Sequence, residues 1–156
     1  MIKKNCIIGV LALAVLLCTA FIFSNSLKNS VDSKADSDVI VEIVEDVAEK
    51  IIPENKFDWN FIVRKSAHLF EFFMLGLFTT LFMLQVKTNR KTNFAYALIT
   101  VTVIAMIDEF IQSFVGRTNS ITDVIIDVTG AFIGLSLIFV FDILIERNRK
   151  DKKFER

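Results

Sequence analysis

The chain has 156 residues, 53% of them hydrophobic, with sixteen Phe and a single Pro. A soluble domain of that size would expose too much apolar surface, so composition points to lipid as the solvent, and one compact unit over residues 1–156 leaves no room for a second domain. Eighteen Lys and Arg balance eighteen Asp and Glu, so no nucleic-acid partner is expected, and the information lies in how the charges are segregated.

Lys3 and Lys4 precede an apolar run over residues 7–23. Cys18-Thr19-Ala20 has the small residues of a signal-peptide cleavage site. The run nevertheless continues through Phe21-Ile22-Phe23, and Leu17 suits lipoprotein processing poorly, so a retained membrane anchor is expected. Cys6 and Cys18 stand roughly 18 Å apart along such a helix, too far to bridge each other.

Residues 24–63 are expected to lie outside the cell. They are acidic: Asp32, Asp36, Asp38, Glu42, Glu45, Asp46, Glu49, Glu54 and Asp58 against Lys28, Lys34, Lys50 and Lys56. Within them Val39, Ile40, Ile43, Val44, Val47, Ile51 and Ile52 recur at helical spacing, which predicts an amphipathic helix ended by Pro53. Such a helix could lie on the bilayer or pack over the mouth of a bundle, its acidic face disfavouring anionic lipid. Phe57, Trp59 and Phe61, followed by Arg64 and Lys65, are the aromatic and basic residues of a membrane interface.

Three further apolar runs, about 66–86, 94–115 and 121–145, complete a set of four membrane crossings, which must be helices because lipid offers backbone groups no partner. The fold class is therefore all-α, a four-helix transmembrane bundle with an amphipathic helix between the first and second spans. Lys87, Arg90 and Lys91 sit between the second and third spans, and Arg147, Arg149, Lys150, Lys152, Lys153 and Arg156 fill the tail over 146–156. With Lys3 and Lys4 they are expected to place both termini of a multi-pass membrane protein in the cytoplasm.

Charged side chains inside spans are expensive and mark functional sites. Arg64, His68 and Glu71 fall on one face of the second span, Asp108 and Gln112 share a face of the third with Glu109 beside it, and Asp123 and Asp127 stand one turn apart in the fourth. Counting from the cytoplasmic ends puts Glu71, Asp108 and Asp127 about 21 to 23 Å up, and His68, Gln112 and Asp123 about 27 Å up, two polar layers of one shared site. Three carboxylates in one layer need compensation. Protons, a divalent cation, or Arg64, Lys65 and Arg117 reaching down from the rim would each supply it. Asp123 could equally serve only to cap the fourth helix, with Thr122 beside it, and Asp142 reads as an ordinary interfacial residue. Gly130 and Gly134 form a small-residue face on the side of Asp123 and Asp127, which turns those carboxylates inward, and Gly76 suits the same role in the second span.

Four pieces in order carry a resemblance: Phe23-Ser24-Asn25-Ser26; Val63 to Phe72, reading VRKSAHLFEF, with Leu75-Gly76; Asp108-Glu109-Phe110-Ile111-Gln112-Ser113-Phe114 with Gly116-Arg117; and Asp123-Val124-Ile125-Ile126-Asp127 with Gly130 and Gly134. The chain resembles the VanZ-like family of bacterial membrane proteins over nearly its whole length. It departs from the pattern in lacking a Pro before Gly116 and in having Phe72 where the family often has Tyr. The resemblance implies a four-helix envelope protein and, through the family's namesake, a link to resistance against the lipoglycopeptide teicoplanin. It implies no settled reaction.

Three functions follow as expectations. The first is an outward cleft that engages a lipid-linked cell-wall intermediate or a lipoglycopeptide in contact with membrane lipid, with Arg64, Lys65 and Arg117 on an anionic head group and Gln112, Asp123 and Asp127 completing the ligand site. The second is an intramembrane enzyme acting on a lipid-linked substrate, with His68, Glu71, Asp108 and Glu109 as acid, base or ligands to a divalent metal, the one cofactor these residues suggest. No nucleophile elbow, zinc helix or phosphate loop accompanies them. The third is proton-coupled transport, against which stands the lack of polar residues through the inner half of the spans. The residues leave open whether any bond is broken, and they are silent on oligomeric state.

Overall fold

The computed structural model describes residues 2–51, 58–86, 89–117 and 120–154, with side chains outside 2–3, 30, 39, 46–51 and 153–154. Five helices account for nearly all of these: α1 (Ile2–Ser26), α2 (Ser30–Ile51), α3 (Trp59–Met83), α4 (Arg90–Phe114) and α5 (Ile121–Phe154). Segments Lys4–Ser26, Trp59–Met83, Arg90–Phe114 and Ile121–Lys152 are long and apolar enough to cross a membrane. The chain is a multi-pass, all-helical membrane protein.

The starts of α2, α3, α4 and α5 are fixed locally. The Asn29 carboxamide accepts hydrogen bonds from the Val31 and Asp32 N–H groups at 3.0 and 2.9 Å, and so begins α2 well before the apolar stripe read from the sequence. Asp58 accepts from Phe61 N–H at 3.0 Å and Asn89 from Lys91 N–H at 3.0 Å, which cap α3 and α4. Ser120 Oγ accepts from Thr122 N–H at 3.2 Å, so the α5 cap is Ser120 and Asp123 is free of that duty. The α3 start at Trp59 places Arg64 and Lys65 within the helix, so Arg64, His68 and Glu71 do share one helical face. Residues 146–154, expected as a separate tail, continue α5. Pro53, Glu54 and Phe57 lie outside the described residues, as do Lys87 and Arg156.

The packing centres on α3, which touches α1, α2, α4 and α5. Its tightest seam is with α5, because a Cβ on Gly76 would strike the Ala131 carbonyl, one on Gly130 the Leu69 carbonyl, and one on Gly134 the Phe73 carbonyl. Ile22, Phe72, Leu75, Ala97, Val101, Ala105, Ala131 and Leu135 form the buried core between the helices. Leu13, Leu16, Phe21, Ile99, Phe110, Phe132, Leu137 and Val140 stay exposed on the outside of the bundle, where a lipid solvent carries no penalty for them.

At one end of the bundle Asn93 donates to the Met83 carbonyl at 2.9 Å, tying α4 to the end of α3. Arg90 there pairs with Asp142 at 3.0 Å and with Glu146. Asp142, expected to be an ordinary interfacial residue, thus binds α5 to α4. Ionisable groups gather at the opposite end. Between the two the interior is the apolar core named above.

The amphipathic helix α2 packs on α3. Among its described side chains Ser37 and Val41 are the buried ones, and Ser37 Oγ donates to Asn60 Oδ1 at 2.8 Å, whereas Ile40 and Ile43 of the stripe are half or more exposed; Val39, Val47, Ile51 and Ile52 of the stripe lie outside the described side chains. Ser37 is buried although polar because Asn60 at the start of α3 offers its hydroxyl a partner. Lys28 and Asp36 pair across the α1–α2 turn at 2.6 Å.

Candidate functional site

The polar end is built from the C-terminal ends of α1 and α4 and the N-terminal ends of α3 and α5, as alternating crossings require. Asp108 is fully buried on α4. Its Oδ1 accepts from Ser26 Oγ at 2.6 Å, and its Oδ2 accepts from Gln112 Nε2 at 2.8 Å, one turn along the same helix. Glu71 Oε1 on α3 accepts from Asn25 Nδ2 at 2.8 Å. His68 stands one turn before Glu71 and aims Nδ1 between Asp108 Oδ2 at 3.9 Å and Asp127 Oδ1 at 3.7 Å.

These contacts merge the two expected layers. The residues placed higher by counting, His68 and Gln112, bend toward the carboxylates below, so the lower group does hold a base near it. Asp123 separates from them and pairs with Lys65, whose ammonium also lies 5.4 Å from the Phe61 ring centroid. Lys65 is therefore engaged at the rim and does not reach Asp108 or Asp127. Among the described residues His68 is the one basic side chain at ion-pair distance from those two carboxylates.

Glu109 does not join the cluster. Its neighbour Asp108 points into the bundle, and one residue on, about 100° around the helix, Glu109 Oε1 instead accepts from the Ser120 N–H and ties the α4–α5 turn to α4. Its burial is accounted for by that loop contact, although Oε2 has no hydrogen-bond partner among the described residues.

Arg117 is placed by backbone geometry. Gly116 has φ +74°, the left-handed region a side chain disfavours, and Arg117 N–H returns to the Gln112 carbonyl at 3.3 Å, closing a Schellman turn that folds the guanidinium back over the end of α4. Burial, and then the nearby Arg64 guanidinium, lower its hold on the proton, opposed by Asp108, Glu109 and Asp123. An arginine stays charged under such a load, so Arg64 and Arg117 form a paired cationic rim.

Two cavities meet at that rim and share both arginines. One of about 560 Å³ is lined by Phe61, Arg64, Lys65, Gln112, Arg117 and Asp123. The other, about 130 Å³, lies beneath α2 between Asn25, Lys28, Ile40, Arg64, His68 and Glu71. The larger is within the range of small-ligand sites.

Against this geometry the comparison with known families is decisive, for the model of the VanZ/LLP1 family matches residues 10–142. The chain belongs to the VanZ/LLP1 family. No curated protein and no solved structure matches it.

The matched stretch of this VanZ/LLP1 chain takes in all ten residues singled out in the sequence: Arg64, Lys65, His68, Glu71, Asp108, Glu109, Gln112, Arg117, Asp123 and Asp127. Sequence reasoning missed Asn25 and Ser26, which make α1 the fourth contributor to what was expected to be a three-helix site. They escaped because the first span seemed to end at residue 23, and neutral side chains carry no burial penalty large enough to flag them. Their signal was the Ser-Asn-Ser run at the end of the first span. His68, Asp108 and Asp127 also meet the spacing of metal ligands, with one donor atom from each lying within 4.8 Å of the others.

Proposed function

We propose that this VanZ/LLP1 protein lies in the bacterial cytoplasmic membrane with both termini in the cytoplasm and its polar end outward, where it binds an amphiphile with an anionic head. A lipid-linked cell-wall intermediate or a lipoglycopeptide has that chemistry. The observation that carries this reading is the cavity of about 560 Å³ whose rim holds Arg64, Lys65 and Arg117 above buried carboxylates. Guanidinium pairs grip phosphate and carboxylate groups in a planar, bidentate fashion, and the apolar flanks of the helices below suit a tail. The basic residues Lys91, Arg147, Arg149 and Lys150 cluster near the opposite end, in keeping with the positive-inside rule. Resistance to teicoplanin-type drugs would be one consequence of such binding.

The test uses cells with and without the protein, profiled for lipid-linked and cell-wall precursors and for glycopeptide susceptibility. Arg64→Ala and Asp108→Ala each abolish the difference while membrane insertion persists. A wild-type profile in both variants overturns the reading. A second reading, chemistry on the same ligand, is favoured by one observation, His68 held between Asp108 and Asp127 beside the cavities. A base so placed can relay a proton. A product with an altered head group, lost in His68→Ala, would support it.

A further inference from the structure

Asp127 is 1% exposed, and its Oδ2 accepts no hydrogen bond from any described residue. His68 Nδ1 is likewise shielded and without a hydrogen-bond partner. The other Asp127 oxygen, Oδ1, stands 3.7 Å from that Nδ1 and Asp108 Oδ2 stands 3.9 Å from it, so one donor atom of each of the three residues lies within 4.8 Å of the others. The rim cations do not discharge this cluster: Lys65 is taken by Asp123, and no ion pair joins Arg64 or Arg117 to Asp108 or Asp127 among the described residues. Two carboxylates packed together in a low-dielectric interior, with one imidazole between them, call for a positive charge at their centre.

We propose that His68, Asp108 and Asp127 form a binding site for a divalent transition-metal ion, of the Mn²⁺ or Zn²⁺ class. The donor set decides the class. An imidazole nitrogen with two carboxylates suits these ions, whereas Mg²⁺ and Ca²⁺ prefer oxygen alone. Ligand atoms of a tetrahedral ion at about 2.0–2.1 Å stand about 3.3 Å from one another. The observed 3.7 and 3.9 Å from His68 Nδ1 are wider by a few tenths of an ångström, and the three donor atoms lie within 4.8 Å of one another, so binding an ion requires side-chain rotation that draws them inward.

The surroundings are those of a supported metal site. Ser26 and Gln112 each hold one oxygen of Asp108, the outer hydrogen bonding that fixes a ligating carboxylate. The Gly130 seam holds α5 against α3 close to His68. A void of about 10 Å³, roughly the space of one water, lies among Lys65, His68, Gln112, Asp123 and Asp127, at the place an ion would occupy. The site goes beyond the proposed ligand reading and does not depend on which amphiphile binds.

The single histidine of the chain makes the test direct. Full-length protein in detergent, stripped with chelator and labelled with ¹⁵N-histidine, is titrated with Mn²⁺ while the His68 imidazole resonances are followed. Substoichiometric Mn²⁺ broadens them, Zn²⁺ reverses the broadening by displacement, and Mg²⁺ at the same concentration does not. Resonances that stay sharp at excess Mn²⁺, or displacement by Mg²⁺ as readily as by Zn²⁺, overturn the proposal. In parallel, Zn²⁺ affinity falls at least about tenfold in Asp127→Asn and His68→Ala, and undiminished affinity in both also overturns it. The wild-type titration decides the matter even where a variant fails to fold. A lost ion site with the Arg64→Ala phenotype intact removes the metal and leaves the ligand reading standing.

Discussion

Gly130 is the most informative single position for the link between packing and site. A Cβ there would meet the backbone carbonyl of Leu69 inside the van der Waals limit, and backbone cannot swing aside as a flexible side chain does. Gly130→Ala therefore forces α3 and α5 apart. Gly9→Ala is the matched control, since a Cβ at Gly9 meets nothing within 4 Å. Both substitutions gain the roughly 0.5–1 kcal/mol by which a helix interior favours Ala over Gly. Subtracting one from the other removes that gain and leaves the overpacking cost, about 1–3 kcal/mol. Leu69 directly follows His68 and Gly130 lies three residues beyond Asp127, so the separation also lengthens the 3.7 Å between His68 Nδ1 and Asp127 Oδ1. The assay is reversible unfolding in mixed micelles with dodecyl sulfate, run on both variants, with Zn²⁺ affinity as the second readout. A stability difference below about 0.5 kcal/mol, the range of an uninvolved surface substitution, would refute the claim that this seam sets the helix spacing.

Three further outcomes are expected. Ser26→Ala and Asp108→Leu, combined in a double-mutant cycle, show a coupling between about 0.6 kcal/mol, the average for hydrogen bonds between membrane helices, and about 1.7 kcal/mol, their upper end; zero coupling would remove Ser26 from the site. Lys65→Asp and Asp123→Lys each lower stability, and the double exchange recovers about 0.5–1 kcal/mol, as befits an ion pair with both side chains about one-fifth exposed; failure to recover would show that the pair is not a unit. Gly116→Ala strains the left-handed turn by about 1–2 kcal/mol and displaces Arg117, so retention of anionic amphiphiles by the purified protein falls; unchanged retention would remove Arg117 from the rim.

Much of this architecture was legible in the residues. Hydrophobic runs of spanning length dictate helices because lipid leaves backbone groups no other partner, and the expense of buried charge picks out Asp108, Asp127, Glu71 and His68 without any coordinates. The small-residue face of Gly130 and Gly134 correctly turned Asp127 inward. Estimated depth was less reliable: His68 and Gln112 counted as a separate layer, yet side-chain length and direction bring both to the carboxylates. On α2, amphipathicity named an apolar face but not the contact that Ser37 makes with Asn60.

What the sequence by itself determined is the solvent, the number of crossings and the list of costly groups, since each follows from transfer energies that act residue by residue. Only the tertiary structure decided which of those groups meet. Asp108 and Glu109 are chemical near-equals one position apart, but a helix turns about 100° per residue. One enters the four-helix cluster and bonds Ser26, while the other ties down the turn at Ser120. Rotation, depth and a seam of glycines set that difference, and they are properties of helices packed together.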